Sequence, residues 1–159
     1  MPIIGVISDT HLDRVTDEFK NNIVKYFNDA DMIIHSGDMT VRAVYEYLSN
    51  WNLKAVRGNM DDFDLHDILP EKRVVEIGGK KIGIMHGRGS PNGLSSLVSK
   101  EFQGVDIIVF GHSHIPFHEK SWNAEMFNPG SYKGSYGKPG SLGMIEIGNE
   151  LKFRHIELK

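Results

Sequence analysis

Val105-Asp106-Ile107-Ile108-Val109-Phe110-Gly111-His112-Ser113-His114-Ile115-Pro116 is an apolar run that stops at a glycine and then presents two histidines. An aliphatic run ending in ligand-type residues reads as a buried strand feeding a loop. In an extended segment alternate side chains share a face, so His112 and His114 should project together and Ser113 away from them. Two imidazoles at this spacing after a strand point to a metal rather than to an isolated core histidine. Their partners must come from other parts of the chain.

Four further runs end the same way. Pro2 to Ser8 leads into Asp9-Thr10-His11, and Asp31 to His35 into Ser36-Gly37-Asp38. Leu53 to Arg57 leads into Gly58-Asn59-Met60-Asp61, and Lys80 to Met85 into His86-Gly87-Arg88. Helices are expected between them. Phe19, Ile23 and Phe27 form an apolar stripe on a helix spanning about residues 17 to 28. Thr40 is the expected N-cap of a second helix, with Val41, Val44, Tyr45 and Leu48 on one face. Ser90 and Pro91 are expected to open a third helix that runs to about Phe102.

Gly78-Gly79 suits a tight hairpin between Arg73 to Ile77 and Lys80 to Met85. The acids of Asp62 to Asp67 read as a solvated loop, the alternative being a site border that disfavours polyanions. After Pro116 the texture changes to short strands at residues 117 to 120, 122 to 127, 142 to 147 and 151 to 158, as in an antiparallel meander. The whole pattern predicts an α/β fold of two packed sheets with helices outside, and a site at the carboxyl ends of the strands.

Composition narrows the chemistry. The 159 residues fit a single domain, 1 to 159, and a formal net charge of −3 offers no basic footprint for stable nucleic-acid binding. There is no cysteine, so a disulfide, a thiolate metal site and a cysteine nucleophile are all excluded. The first apolar run is too short for a signal or a membrane span, which sets the expectation of a cytoplasmic protein with no membrane partner.

Asp9, His11, Asp38, Asn59, His86, His112 and His114 are thus seven ligand-type groups on five strand ends. Carboxylates, an amide oxygen and imidazoles without sulfur suit manganese, iron, nickel or zinc. Seven groups are too many for one tetrahedral ion. Two ions roughly 3.5–4 Å apart would use them all and meet the needs of phosphoryl hydrolysis.

In order, Asp9-x-His11, Gly37-Asp38, Gly58-Asn59-x-Asp61, His86 and Gly111-His112-x-His114 resemble the calcineurin-like metallophosphoesterase superfamily along the whole chain. His86-Gly87 and Asn128-Pro129-Gly130-Ser131 look like its small bacterial and archaeal phosphodiesterase branch, to which the retromer scaffold subunit is related. The resemblance implies two mixed sheets flanked by helices and two divalent metal ions, manganese foremost, with nickel, iron or zinc as alternatives. It implies Asp9, His11 and His114 on one ion, Asn59, His86 and His112 on the other, and Asp38 bridging. A hydroxide between the ions would attack a small phosphoester substrate, and Asp38, Asn59, Asp61 and His86 would be the residues of catalysis.

Asp61 is expected to orient a ligand histidine. Met60 stands where much of the superfamily has a histidine, and a thioether donates no proton, so the expectation is an acidic leaving alcohol or a proton supplied by water or another residue. Arg88 replaces the second histidine of a His-x-His and is either a phosphate grip or a surface residue. His35 is expected to support the site and Asn128 to approach it, while His66, His118 and His155 read as ordinary histidines. The alternatives are a phosphomonoesterase acting on nucleotides or phosphoproteins and a non-catalytic scaffold of the retromer type, and relatives of this size suggest a homodimer.

Overall fold

The computed structural model describes residues 1–121 and 124–159. In chain order the elements are β1 (Ile3–Ile7), α1 (Asp17–Phe27), β2 (Met32–His35), α2 (Arg42–Leu48), β3 (Leu53–Ala55), α3 (Phe63–Ile68) and β4 (Lys72–Ile77). They continue as β5 (Lys80–Met85), α4 (Leu94–Ser99), β6 (Ile107–Val109), β7 (Phe117–Lys120), β8 (Glu125–Asn128), β9 (Ser141–Ile147) and β10 (Leu151–Glu157).

Two mixed five-stranded sheets result, ordered β10-β9-β1-β2-β3 and β4-β5-β6-β8-β7. β1, β2 and β3 run parallel to one another, as do β5, β6 and β8, so the loops after these strands leave each sheet at one edge.

Alternation along the strands builds the layers. Ile4, Val6 and Ile34 meet Ile82, Ile84, Ile107, Val109 and Phe127 between the sheets. Odd neighbours turn outward: Ile7 and Ile33 pack with Phe19, Ile23 and Phe27 of α1 and with Val44 and Leu48 of α2. Met85, Ile108 and Met126 pack against Leu94 and Val98 of α4 on the far side. Each such side chain, taken wholly out of water, stabilises the fold by about 1.5–3 kcal/mol. The order of layers is therefore helix, sheet, sheet, helix.

Local signals explain most of the elements. The Thr16 hydroxyl accepts from Phe19 N–H at 3.0 Å to open α1, and Asp17 and Glu18 lie at its positive end. Gly78 and Gly79 take φ of 60° and 77°, the left-handed pair that a two-residue hairpin turn requires.

Four expectations are corrected. Thr40 is not an N-cap: α2 starts at Arg42 behind Val41 with no side-chain cap, and the Thr40 N–H goes to Asp61 Oδ1 at 2.7 Å. The helix after Pro91 is shorter than expected, because Ser90 Oγ caps only a turn by accepting from Asn92 N–H, and α4 begins after the left-handed Gly93. The Asp62 to Asp67 stretch forms α3, anchored by the buried Leu65, instead of a loop.

The last strands form no single meander. β7 and β8 complete one sheet while β9 and β10 complete the other, because β8 pairs in parallel with β6 and β9 pairs with β1. The strand expected from Trp122 begins, among the described residues, at Glu125, and Trp122 itself lies outside them. No helix among the described residues is long and apolar enough to cross a membrane.

Candidate metal centre

The loops leaving the two sheets are stitched together before any side chain converges. Asp9 N–H donates to Gly37 O at 2.9 Å and His11 N–H to Asp38 O at 3.3 Å, tying the loop after β1 to the loop after β2. Gly111 N–H donates to His86 O at 3.0 Å, tying the loops after β5 and β6. The two pairs are joined across the sheets by His112 N–H to Asp9 Oδ2 at 3.2 Å and by His86 Nδ1–H to Ser36 O at 2.9 Å.

Asp9, His11, Asp38, His112 and His114 all have left-handed backbones, with φ from 47° to 71°. Residues other than glycine enter this region at a cost of order 1–3 kcal/mol each and persist where surrounding contacts hold them. The extended geometry expected for Gly111-His112-Ser113-His114 is therefore corrected. β6 has already ended at Val109, and the curled loop sends the two imidazoles apart. His114 stands edge to face with His11 at 5.4 Å between ring centres, and His112 likewise with His86 at 5.2 Å.

Two donor groups lie side by side: Asp9, His11 and His114, and Asp9, Asp38 and His86. Asp9 Oδ1 is 3.2 Å from His114 Nε2, 3.6 Å from His11 Nε2 and 3.9 Å from His86 Nε2. Asp38 Oδ2 is 3.2 Å from His86 Nε2 and 3.7 Å from His11 Nε2. Asp9, expected on one ion only, is thus common to both groups, while Asp38, expected to bridge, also faces a histidine of each.

The other oxygens of these carboxylates are already used. Asp9 Oδ2 accepts from the Ser8 hydroxyl at 2.6 Å as well as from His112 N–H, and Asp38 Oδ1 accepts from Met60 N–H at 2.8 Å.

Proton positions follow from the outer contacts. A carbonyl oxygen only accepts, so His86 Nδ1 carries its proton toward Ser36 O and His112 Nε2 carries its proton toward Gly89 O at 2.8 Å. In the neutral rings this leaves the lone pairs on His86 Nε2 and His112 Nδ1. His86 Nε2 then points a lone pair at carboxylate oxygens, an arrangement that calls for a cation between them or a second proton on the ring.

Asp9 Oδ1, His11 Nε2 and His86 Nε2 are buried without a hydrogen-bond partner among the described residues. Buried polar atoms are rarely left so, and these three face one another. Oxygen and imidazole donors with unsatisfied lone pairs fit divalent cations.

Electrostatics say the same. Burial pushes the Asp9 carboxyl up, but the imidazoles of His11, His114 and His86 and the Ser8 hydroxyl outweigh it and hold Asp9 well below the usual carboxylate range. Burial also pushes Asp38 up, and His86 and Met60 N–H bring it down. Burial lowers His86, yet Asp38 and Asp9 raise it overall, and Asp9 likewise raises His11.

Asn59, exposed, lies on the loop after β3. It lines a cavity of about 210 Å³ with Arg57, Glu71, His86 and Arg88. Arg88 is therefore placed beside the centre, its side chain exposed.

Among the described residues Asp61 makes no hydrogen bond or ion pair with a histidine, which corrects the role expected for it. Its carboxylate accepts from Gly58 N–H at 2.6 Å, Thr40 N–H at 2.7 Å and Asp38 N–H at 3.2 Å, so it fixes the loops that carry Asp38 and Asn59. Burial pushes its pKa up.

Supporting residues complete the frame. His35 is wholly buried; its Nδ1 accepts from Gly37 N–H at 3.0 Å, its Nε2 meets the Thr10 hydroxyl at 3.1 Å, and burial lowers its pKa to about 3, so the ring is a neutral brace. Asn128 donates to Gly111 O and Ser113 Oγ, each at 3.1 Å, and holds the His112 loop from beneath. His155 in turn donates to Asn128 O at 2.8 Å. Ser8, Ser131 and Ser135 went unnoticed in the sequence as supports: Ser131 Oγ donates to Asp9 O at 3.1 Å, and Ser135 Oγ meets His114 Nδ1 at 3.1 Å. Ser8 and Ser131 adjoin recognisable motifs, whereas nothing in the chain marks Ser135.

A family profile described as the calcineurin-like phosphoesterase superfamily domain matches residues 3–150. The chain belongs to this superfamily. A probable metallophosphoesterase of Methanocaldococcus jannaschii is 39% identical over 135 residues, covering 81% of this chain and 67% of that protein. A structurally characterised archaeal phosphodiesterase superposes with a TM-score of 0.76 at 26% identity, covering 98% of this chain and 99% of the other. Vps29 from Entamoeba histolytica, at 22% identity with a TM-score of 0.73 and 99% of both chains covered, shares the fold. As a calcineurin-like phosphoesterase the chain is a metal-dependent phosphoesterase, with Asp and His clusters that could hold its divalent metal.

Proposed function

We propose that this calcineurin-like phosphoesterase is a phosphodiesterase working with two divalent cations, manganese foremost. The observation that carries the proposal is the convergence of Asp9 Oδ1, His11 Nε2 and His86 Nε2, buried and without a hydrogen-bond partner among the described residues, beside the Asp38 carboxylate. Asp9, His11 and His114 would hold one cation and Asn59, His86 and His112 the other, with Asp38 and Asp9 reaching both. Cations bound there would ionise a water at neutral pH and neutralise charge developing on the phosphoryl oxygens.

The protein's own groups do the rest. The Ser8, Met60 and His112 contacts fix which oxygen of each carboxylate faces inward. Ser36 O and Gly89 O hold His86 and His112 in the tautomers that present a lone pair. Asn59 and Arg88 border the centre, one able to donate an amide N–H to a phosphoryl oxygen and the other a guanidinium fork.

Met60 is 56% exposed and has no proton to give, so the leaving alcohol must be acidic or draw its proton from water. That favours activated diesters over alkyl monoesters.

Comparing p-nitrophenyl phosphate with bis(p-nitrophenyl) phosphate under manganese tests the proposal. The expected result is a kcat/KM at least tenfold higher for the diester, lost in Asp38→Asn. Preference for the monoester would make the protein a phosphomonoesterase. Hydrolysis of neither would sink the enzymatic reading.

A further inference from the structure

A cleft of about 670 Å³ opens beside the centre, between the loop of residues 133 to 140 and the end of β10. Its walls are Ile115, Pro116, Tyr136 and Pro139, with Lys138 and Glu157 at the margin. That volume lies in the range of small-molecule sites, and apolar walls carrying a few polar groups are their usual lining.

The cleft and the centre share one residue. His114 lines the cleft, points Nε2 at Asp9 Oδ1 at 3.2 Å, and is held through Nδ1 by Ser135 of the same loop. A molecule whose phosphate lies on the carboxylate and histidine cluster can therefore extend directly into it.

The loop is built to present an aromatic ring. Ser135 and Lys138 pair as a two-residue hairpin, with Ser135 N–H to Lys138 O at 3.3 Å and Lys138 N–H to Ser135 O at 2.9 Å. Tyr136 and Gly137 form its tip with φ of 54° and 71°. Glycine or asparagine would fill the first of these positions without strain. A tyrosine there accepts an unfavourable backbone conformation, and the residue, 70% exposed, lines the cleft.

We infer that this cleft seats a nucleoside arm of the phosphodiester substrate, its base stacked on Tyr136. The inference rests on the phosphodiesterase reading above. Apolar walls and a free aromatic face suit a planar base. Ser135 and Glu157 can meet sugar hydroxyls or exocyclic amines, and the Lys138 ammonium adds attraction for an anionic ester.

The test uses two diesters with the same leaving group, thymidine 5′-(p-nitrophenyl phosphate) and methyl p-nitrophenyl phosphate, and the manganese-loaded protein. Stacking of a base on an aromatic ring is strong enough to change rates by roughly five- to a hundredfold. The nucleoside ester should therefore have a kcat/KM about tenfold or more above the methyl ester. Tyr136→Ala should bring the ratio toward one and Tyr136→Phe should keep it, with the change lying in KM. Equal rates on both esters in the natural protein, or a ratio indifferent to Tyr136→Ala, would overturn the inference.

If neither ester is hydrolysed, the phosphodiesterase reading fails and the cleft is judged by binding alone. Thymidine added to the metal-free protein should shift the NMR signals of Ile115, Ser135 and Tyr136, and the absence of shifts at millimolar thymidine would overturn the inference on that arm.

Discussion

At the scale of single residues, Asp61 separates two accounts of the acidic group after Asn59. Its carboxylate accepts three backbone N–H groups and, among the described residues, bonds to no imidazole. Asp61→Asn replaces one accepting oxygen by an amide N–H and sets donor against donor. Loss of the Thr40 bond, together with the charge that strengthens the Gly58 and Asp38 bonds, costs roughly 3 kcal/mol, a fall in Tm of roughly 6–12 °C by calorimetry. A residue that merely aimed a histidine would change metal affinity with little loss of Tm. Asn128 is the converse case, since its amide braces the loop of the metal-type histidines. Asn128→Ala should weaken manganese binding by roughly 10–100-fold, read by titration calorimetry. The ligand-type residues were legible in the sequence because each follows a strand. What Asp61 and Asn128 do was not legible, because most of their partners are backbone atoms 17 to 23 residues away, which leave no side-chain signature.

At the scale of elements, the loops after β1 and β6 approach so closely that only glycine fits between them. A Cβ on Gly111 would strike Ser8 Oγ and Asp9 Oδ2. Gly58 is in the same position against Asp38. Gly111→Ala should therefore fold but lose at least tenfold in manganese affinity, because the Asp9 carboxylate must turn away to make room. Unchanged affinity by titration calorimetry would show that the loop gives way instead. The strands and α1 could be read from apolar periodicity, since β1 and α1 bury the residues their patterns mark. The curl of residues 111 to 114 could not, because left-handed histidines leave no trace in a pattern that counts only spacing. Thr40 misled for the same reason: its backbone, not its hydroxyl, serves Asp61.

At the scale of the molecule, two sheets bring five strand ends to one edge, and the charge gathered there links stability to pH and metal. Without cations, His11 and His86 are raised above the ordinary histidine value of about 6.5 by facing Asp9 and Asp38. Their contribution is complete below that value and is lost as pH rises through the raised one, leaving carboxylates and lone pairs opposed. The Tm of metal-free protein should accordingly fall as pH rises above about 6.5. Manganese must displace those protons, so its stabilisation grows over the same interval. At a hundred times its Kd the ion adds about 2.7 kcal/mol, or roughly 5–10 °C near pH 8. A manganese increment independent of pH would argue against binding through these histidines. The layered architecture was legible from strands alternating with helices. The division of the last four strands between the sheets was not, because β8 and β9 find their partners in β6 and β1 rather than in each other.

The two-cation centre is tested most directly by titrating manganese into the metal-stripped protein and counting ions bound per chain. Two equivalents in the natural protein, with fewer in Asp38→Asn, are predicted. A single equivalent, or two that Asp38→Asn leaves intact, would contradict it.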